Sequence, residues 1–143
     1  MAAWHGFLHA HSALVRELDA EMHGAHGLSL TQYEVLLLLA RSDDGALRMS
    51  DLADGALLSL SGLSRLVDRL SAMGLVERAQ CPTDRRGAFA CLTPEGRERF
   101  ASARTTHLGG VRRLFIDRLP DGGVAALGEA WAALEGPGPA PDA

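Results

Sequence analysis

The sequence predicts a mainly α-helical fold carrying one small β-hairpin, an α+β arrangement. Three observations predict it. Apolar residues recur every three or four positions over most of the chain. The period changes to short β-prone runs only around residues 75–92. Glycine, proline or a capping hydroxyl marks most of the boundaries between these segments. With 143 residues and 47% hydrophobic content, the chain suits one compact domain with helical extensions.

The first helix places Trp4, Phe7, Leu8, His11, Leu14, Val15, Leu18 and Met22 on one stripe, and Gly24 to Gly27 ends it. Thr31-Gln32-Tyr33-Glu34 reads as a capping box, Thr31 capping and Glu34 reaching back. Leu36 to Leu39 make that second helix apolar on all sides, hence central and buried; Asp43-Asp44-Gly45 breaks it. Ser50 is placed to cap a short helix from Asp51 to about Ala56, and Leu57-Leu58 forms a tight connection. Ser59 then caps a helix to about Met73, closed by Gly74 in the left-handed conformation that glycine tolerates. Leu75–Arg78 and Ala88–Leu92 read as two strands, joined by a polar turn over Pro82–Gly87. Thr93 caps a long helix with Pro94 in its first turn, running to Leu119, roughly 39 Å at about 1.5 Å per residue. Gly109-Gly110 is expected to bend it. A last helix carries Val124, Leu127, Trp131 and Leu134, and residues 136–143, rich in Gly and Pro, read as a disordered tail.

The formal net charge is −4, which argues against nucleic-acid binding for the chain as a whole. Distribution matters more than the sum. All basic side chains apart from histidine are arginines, and five of them (Arg65, Arg69, Arg78, Arg85, Arg86) lie among only three acids between residues 65 and 86. No apolar run approaches the ~18–20 residues of a membrane span. The N-terminus lacks the basic-then-apolar pattern of a signal peptide, so a cytoplasmic protein is expected, associated with the nucleoid when bound to DNA. Cys81 and Cys91 are too few for a disulfide scaffold and have no metal-ligand spacing, which fits a reducing compartment.

Function concentrates in the helix after Ser59. Leu63, Leu66, Val67 and Leu70 fall at i, i+3, i+4 and i+7 and form its core face. Ser61, Ser64, Arg65 and Asp68 share the opposite face. A helix inserted in a major groove contacts base edges with its N-terminal residues. Small hydroxyls allow close approach, arginine can grip guanine in bidentate fashion, and the helix N-terminus favours phosphate. The same residues also occur on ordinary solvated helices, with Arg65 and Asp68 as a surface pair. The hairpin strengthens the DNA reading. Adjacent Arg85 and Arg86 repel each other unless an anion is near, and a minor groove or phosphate backbone supplies one. Asp84 is placed to orient Arg86 or Arg65. The candidate DNA-binding set is Ser59, Ser61, Gly62, Ser64, Arg65, Arg69, Thr83, Asp84, Arg85 and Arg86.

Read together, residues 60–70 (LSGLSRLVDRL), Gly74-Leu75-Val76-Glu77-Arg78, Asp84-Arg85-Arg86-Gly87 and Leu92-Thr93-Pro94-Glu95-Gly96 resemble the MarR family of bacterial regulators. The resemblance covers about residues 4–135. It implies a winged helix-turn-helix with N- and C-terminal dimerisation helices. The expected organisation is a dimerisation helix at 1–28, the DNA-binding domain at 29–93 and dimerisation helices at 94–135. It further implies a homodimer with intertwined first, fifth and sixth helices, a palindromic duplex operator with wings in flanking minor grooves, and repression relieved by a small ligand or an oxidant. Arg85 and Arg86 match the wing arginines; Ser61, Ser64 and Arg65 match recognition-helix positions. Dimerisation has a second basis: a chain this small cannot bury the stripes of its first and last helices alone.

Trp4, Phe7, His11, Arg16, Tyr33 and His107 form the candidate effector site, suited to a small aromatic or phenolic carboxylate. His5/His9 and His23/His26 have spacings that can share a metal ion, but no cysteine accompanies them and no metal or cofactor is expected. Cys81 beside the wing arginines raises a redox-responsive alternative, although the family's peroxide sensors carry their cysteine near the N-terminus. No nucleophile elbow or glycine-rich phosphate loop suggests an enzyme. The remaining alternative is a winged-helix protein-interaction module without DNA binding.

Overall fold

A computed structural model describes residues 1–81 and 84–135, with side chains for all of these except 80, 81, 84–87 and 135. In chain order the elements are α1 (Ala2–His26), α2 (Leu30–Arg41), β1 (Ala46–Arg48), α3 (Met49–Gly55), α4 (Leu60–Ala72), β2 (Val76–Cys81), β3 (Asp84–Leu92), α5 (Pro94–Leu114), a 3-10 turn (Ile116–Arg118) and α6 (Gly123–Glu135). The tail expected at 136–143 lies outside the described residues, as do Pro82 and Thr83.

α1 passes through Gly24 and stops at Gly27, whose φ of 65° is left-handed and whose N–H donates to the His23 carbonyl. The capping box of α2 is real but sits two residues earlier than expected. Ser29, not Thr31, is the cap: its hydroxyl accepts from Gln32 N–H at 3.1 Å, and Gln32, not Glu34, reaches back to Ser29 N–H at 2.8 Å. The helix starts early because Leu28 and Leu30 both enter the core and Asp19 of α1 accepts from Leu30 N–H at 2.7 Å. Ser50 does not cap α3. That helix begins at Met49, after Arg48, and Ser50 Oγ donates instead to Asp51. Leu57 turns the chain between α3 and α4 with a φ of 54°.

α4 ends in a complete Schellman motif. Gly74, at φ 73°, donates to the Ser71 carbonyl, and Leu75 N–H reaches back to the Leu70 carbonyl at 3.0 Å. The sheet that follows is antiparallel in the order β1-β3-β2, with Leu47 opposite Ala90 and Ala79 opposite Phe89. β1 was not foreseen, since three residues carry no readable alternation and need β3 to pair with. The hairpin strands are also longer than expected. β3 starts at Asp84, so the backbone of Asp84–Gly87 belongs to the strand, with Asp84 opposite Cys81 and a register irregularity before Ala88 pairs with Gln80. Backbone pairing does not need apolar side chains, so polar residues extend a strand beyond its apolar run.

α5 begins as expected, with Thr93 Oγ1 accepting from Gly96 N–H at 2.9 Å and Pro94 at its start. It runs unbroken through Gly109 and Gly110 and ends at Leu114, five residues short of the expected Leu119, where the chain tightens into the 3-10 turn. Gly110 is buried against α1: a Cβ there would lie 2.7 Å from Leu18 Cδ2. The helix therefore uses glycine for close packing. The core gathers Leu28, Val35, Leu36 and Leu39 from α2 and its approach, Leu52 from α3, Leu63, Val67 and Leu70 from α4, and Leu75, Val76 and Ala90 from the sheet. Fully burying each leucine or valine contributes about 1.5–3 kcal/mol.

Two contacts join this core to α5. Gly96 sits against the α4–β2 turn, where a Cβ would run into the Leu75 carbonyl oxygen and lie 2.8 Å from Leu92 Cδ1. Farther along, buried Tyr33 stacks on Phe100 and meets the His107 ring at 4.6 Å. His107 Nδ1 is buried and has no hydrogen-bond partner among the described residues, and burial lowers the His107 pKa.

Replacing Gly96 by alanine should destabilise the fold by up to about 2 kcal/mol: an overpacking cost of about 1–3 kcal/mol is set against a helix-propensity gain of about 1 kcal/mol, and the contact is with backbone that cannot swing aside. Gly24→Ala, with open space around it, should stabilise by about 0.5–1 kcal/mol. Urea midpoints of both variants decide the pair; equal shifts of one sign would refute the close-approach argument. His107 is also testable by pH. A folded-state pKa below the ordinary value of about 6.5 means that the unfolded chain binds the extra proton first. Stability should therefore be full above that value and fall as pH drops below it, levelling off past the folded pKa. His107→Gln should remove this component of the stability–pH curve.

Candidate nucleic-acid interface

The face of α4 away from the core is set by the burial of the opposite one. Leu63, Val67 and Leu70 are fully buried and Leu66 partly so. Ser61, Arg65, Asp68 and Arg69 consequently stand exposed, while Gly62 and Ser64 are half-buried. The helix N-terminus is held by Ser59, whose hydroxyl accepts from Gly62 N–H at 3.1 Å and lies 3.3 Å from Ser61 Oγ. Ser59 thus acts first as a cap, and its positive helix end is directed outward beside Ser61 and Arg65. Leu57 and Leu60 flank this end and are 93% and 57% exposed.

Asp68 is not paired with Arg65. Its carboxylate accepts from Arg78 of β2, from Nη2 at 2.8 Å and from Nε at 3.1 Å. The same Nη2 reaches the Ser64 hydroxyl at 2.8 Å and the Ser64 carbonyl at 3.0 Å. Arg78 therefore bolts the hairpin onto the outward face of α4. Sequence reasoning counted Arg78 only as a basic residue. A helical register shows neighbours three and four apart, but says nothing of a strand residue ten positions on.

The backbone of Asp84, Arg85 and Arg86 lies in β3, next to the hairpin tip. The side chains of these three candidates, and Thr83 altogether, fall outside the described residues, as does the Cys81 thiol. Cys91 is half-buried, and its thiol pKa is raised by burial and by the nearby Glu77 carboxylate, so it is a poor thiolate.

Five of the six effector candidates divide into two groups. Trp4, Phe7 and His11 line up on α1, and Phe7 meets Trp131 of α6 at 5.3 Å. Tyr33 and His107 belong to the interior stack with Phe100. Arg16 is exposed on α1. An open cleft between α1 and α5 is lined by His26, Glu95, Glu98, Arg99 and Ser102, and contains none of the six. His26 is engaged in packing these helices: its ring bonds Thr106 Oγ1 at 2.8 Å and its carbonyl accepts from Arg99. Among the described residues no group of three or more His, Cys, Asp or Glu side chains is arranged to hold a metal, and no helix is long and apolar enough to cross a membrane.

Comparison with known proteins agrees with this architecture. The family model described as "MarR family" matches residues 26–87. AbsC, a MarR family transcriptional regulator from Streptomyces coelicolor, is 35% identical over 94% of this chain and 90% of its own, with a TM-score of 0.87. Sco3205 from the same organism, solved in complex with DNA, is 35% identical over 94% and 87%, with a TM-score of 0.88. The regulator MhqR of Bacillus subtilis is 38% identical over 50% of this chain and 48% of its own. The matched region spans about half the length of such curated relatives. These relatives are transcriptional regulators rather than enzymes. The helix-turn-helix with its hairpin, the flanking long helices and near full-length agreement with AbsC and Sco3205 together show that this chain belongs to the MarR family.

Proposed function

We propose that this chain is a homodimeric transcriptional regulator that binds palindromic double-stranded DNA, with residues 29–93 reading the DNA and residues 1–28 and 94–135 forming the dimer. The observation that carries the reading is the outward stripe of α4, with Ser61 and Arg65 exposed at its N-terminal end beside an arginine-bearing wing. Ser61, Ser64 and Arg65 approach bases; Ser59, Gly62 and Arg69 lie against the backbone; Thr83, Arg85 and Arg86 form the wing contact, with Asp84 orienting an arginine. The DNA complex of Sco3205, at 35% identity, supports the same use of the fold.

Dimerisation is supported by the apolar side chains left exposed on the outer helices, among them Trp4 and Phe7 of α1, Leu108 of α5, and Val124, Trp131 and Leu134 of α6. Repression released by a small aromatic or phenolic acid is the finer reading. Its supports are the two aromatic groups that contain Trp4, Phe7, His11, Tyr33 and His107, and CouR of Rhodococcus jostii, 25% identical and solved with p-coumaroyl-CoA bound.

A duplex carrying the upstream region of the chain's own gene should bind wild type with an affinity that falls steeply with salt. Arg65→Ala should weaken it about 5–150-fold, the equivalent of about 1–3 kcal/mol, with an unchanged circular dichroism spectrum. Binding that ignores both sequence and Arg65 would overturn the base-reading role. For the effector, calorimetry should show heat with at least one of a panel of aromatic acids and a loss of that heat in Trp4→Ala; a panel that gives none refutes it.

A further inference from the structure

The hairpin that carries the wing is tied to α4 at a point the sequence pattern does not reveal. Arg78 leaves β2 and spreads its guanidinium over the outward face of α4, where it holds three acceptors at once: the Asp68 carboxylate, the Ser64 hydroxyl and the Ser64 carbonyl. Two consequences follow from elementary chemistry. The planar fork fixes a direction as well as a distance, so β2 is set at one angle to α4. The Asp68 charge, on the same face as Ser61, Ser64 and Arg65, is neutralised where a phosphate backbone would otherwise be repelled. For a chain with a net charge of −4, that local neutralisation matters to any anionic partner.

We propose that Arg78 is a positioning residue for DNA binding: it fixes the wing relative to the reading helix and masks Asp68, without itself needing to touch DNA. The proposal rests on the DNA-binding reading above. Stability is a poor reason for the clamp. The Arg78 and Asp68 side chains are 37% and 63% exposed, and exposed ion pairs contribute only about 0–1 kcal/mol.

The test uses the full chain and three variants, Arg78→Ala, Arg78→Lys and Arg78→Ala with Asp68→Asn, titrated with one duplex over a range of salt. Thermal melting monitors the fold. In Arg78→Ala the affinity should fall about tenfold or more, with little change in melting temperature. The slope of affinity against salt should stay that of wild type, since no phosphate contact is removed. Arg78→Lys should recover at most the part due to masking Asp68, because an ammonium keeps the charge but cannot reproduce the fork. Adding Asp68→Asn should recover part of the loss, the part due to the unmasked charge. Hydrogen exchange in the free protein reads the clamp without DNA: amides of β2 and β3 should exchange faster in Arg78→Ala while those of α1 and the core helices stay protected.

A direct phosphate contact gives the opposite pattern, a slope reduced by about one and near-full rescue by lysine, and would overturn the proposal. So would unchanged affinity in Arg78→Ala, or unchanged hairpin exchange. If wild type binds no duplex at all, the DNA reading itself fails, and the exchange experiment still decides whether Arg78 orders the hairpin.

Discussion

The first turn of α5 rests directly on the backbone of Leu75, and the rest of the molecule is arranged around that contact. Leu75 is where α4 has just ended and β2 is about to begin, so a shift here would move α4, the β2–β3 hairpin and α5 together. Gly96 makes the approach possible because any side chain would strike the Leu75 carbonyl. Thr93 then works in two directions. Its hydroxyl caps α5 through Gly96 N–H and donates to the Gly74 carbonyl at 2.7 Å, while its own N–H donates to the Leu75 carbonyl. One threonine and two glycines thus join three elements, each bond satisfying a backbone group that would otherwise be left without a partner at a helix end or turn.

This joint has a mechanical implication. α5 packs along α1 through Gly110 and Leu18, and the Arg113–Glu21 ion pair and the His26–Thr106 hydrogen bond tie the same two helices. The contacts therefore run in series from α1 through α5 to the α4–β2 turn, the path that a displacement of the outer helices would follow. The Tyr33–Phe100–His107 stack lies on the same path, between α2 and α5. A group that wedged apart these rings would act on the joint rather than on α4 itself.

Electrostatics are local in this chain. The acidic total does not describe the α4 face, where Arg65 and Arg69 are exposed and the one acid, Asp68, is paired with Arg78. Pairing that acid with a strand residue leaves Arg65 available to an external partner, which a helix-internal Arg65–Asp68 pair would not.

Much of this could be read from the chain alone, and the legible parts share a cause. Helix existence, the burial of Leu63, Val67 and Leu70, and the roles of Ser59, Gly74, Thr93 and Pro94 depend on residues within one or two turns of each other, so periodicity and capping chemistry suffice. The misread parts depend on distant partners. Ser29 displaced Thr31 as the cap because Asp19, on another helix, receives the Leu30 N–H. β1 exists because β3 offers it an edge. Gly110 proved to be a packing surface for Leu18 instead of a hinge, and Asp68 found Arg78 instead of Arg65. The aromatic residues expected in one cleft were sorted into two groups by which helix face met which neighbour. Local sequence determined the helices and the face that α4 shows to solvent. Only the tertiary structure decided the close approaches and charge pairings between them, because these depend on distances across the fold that no periodicity encodes.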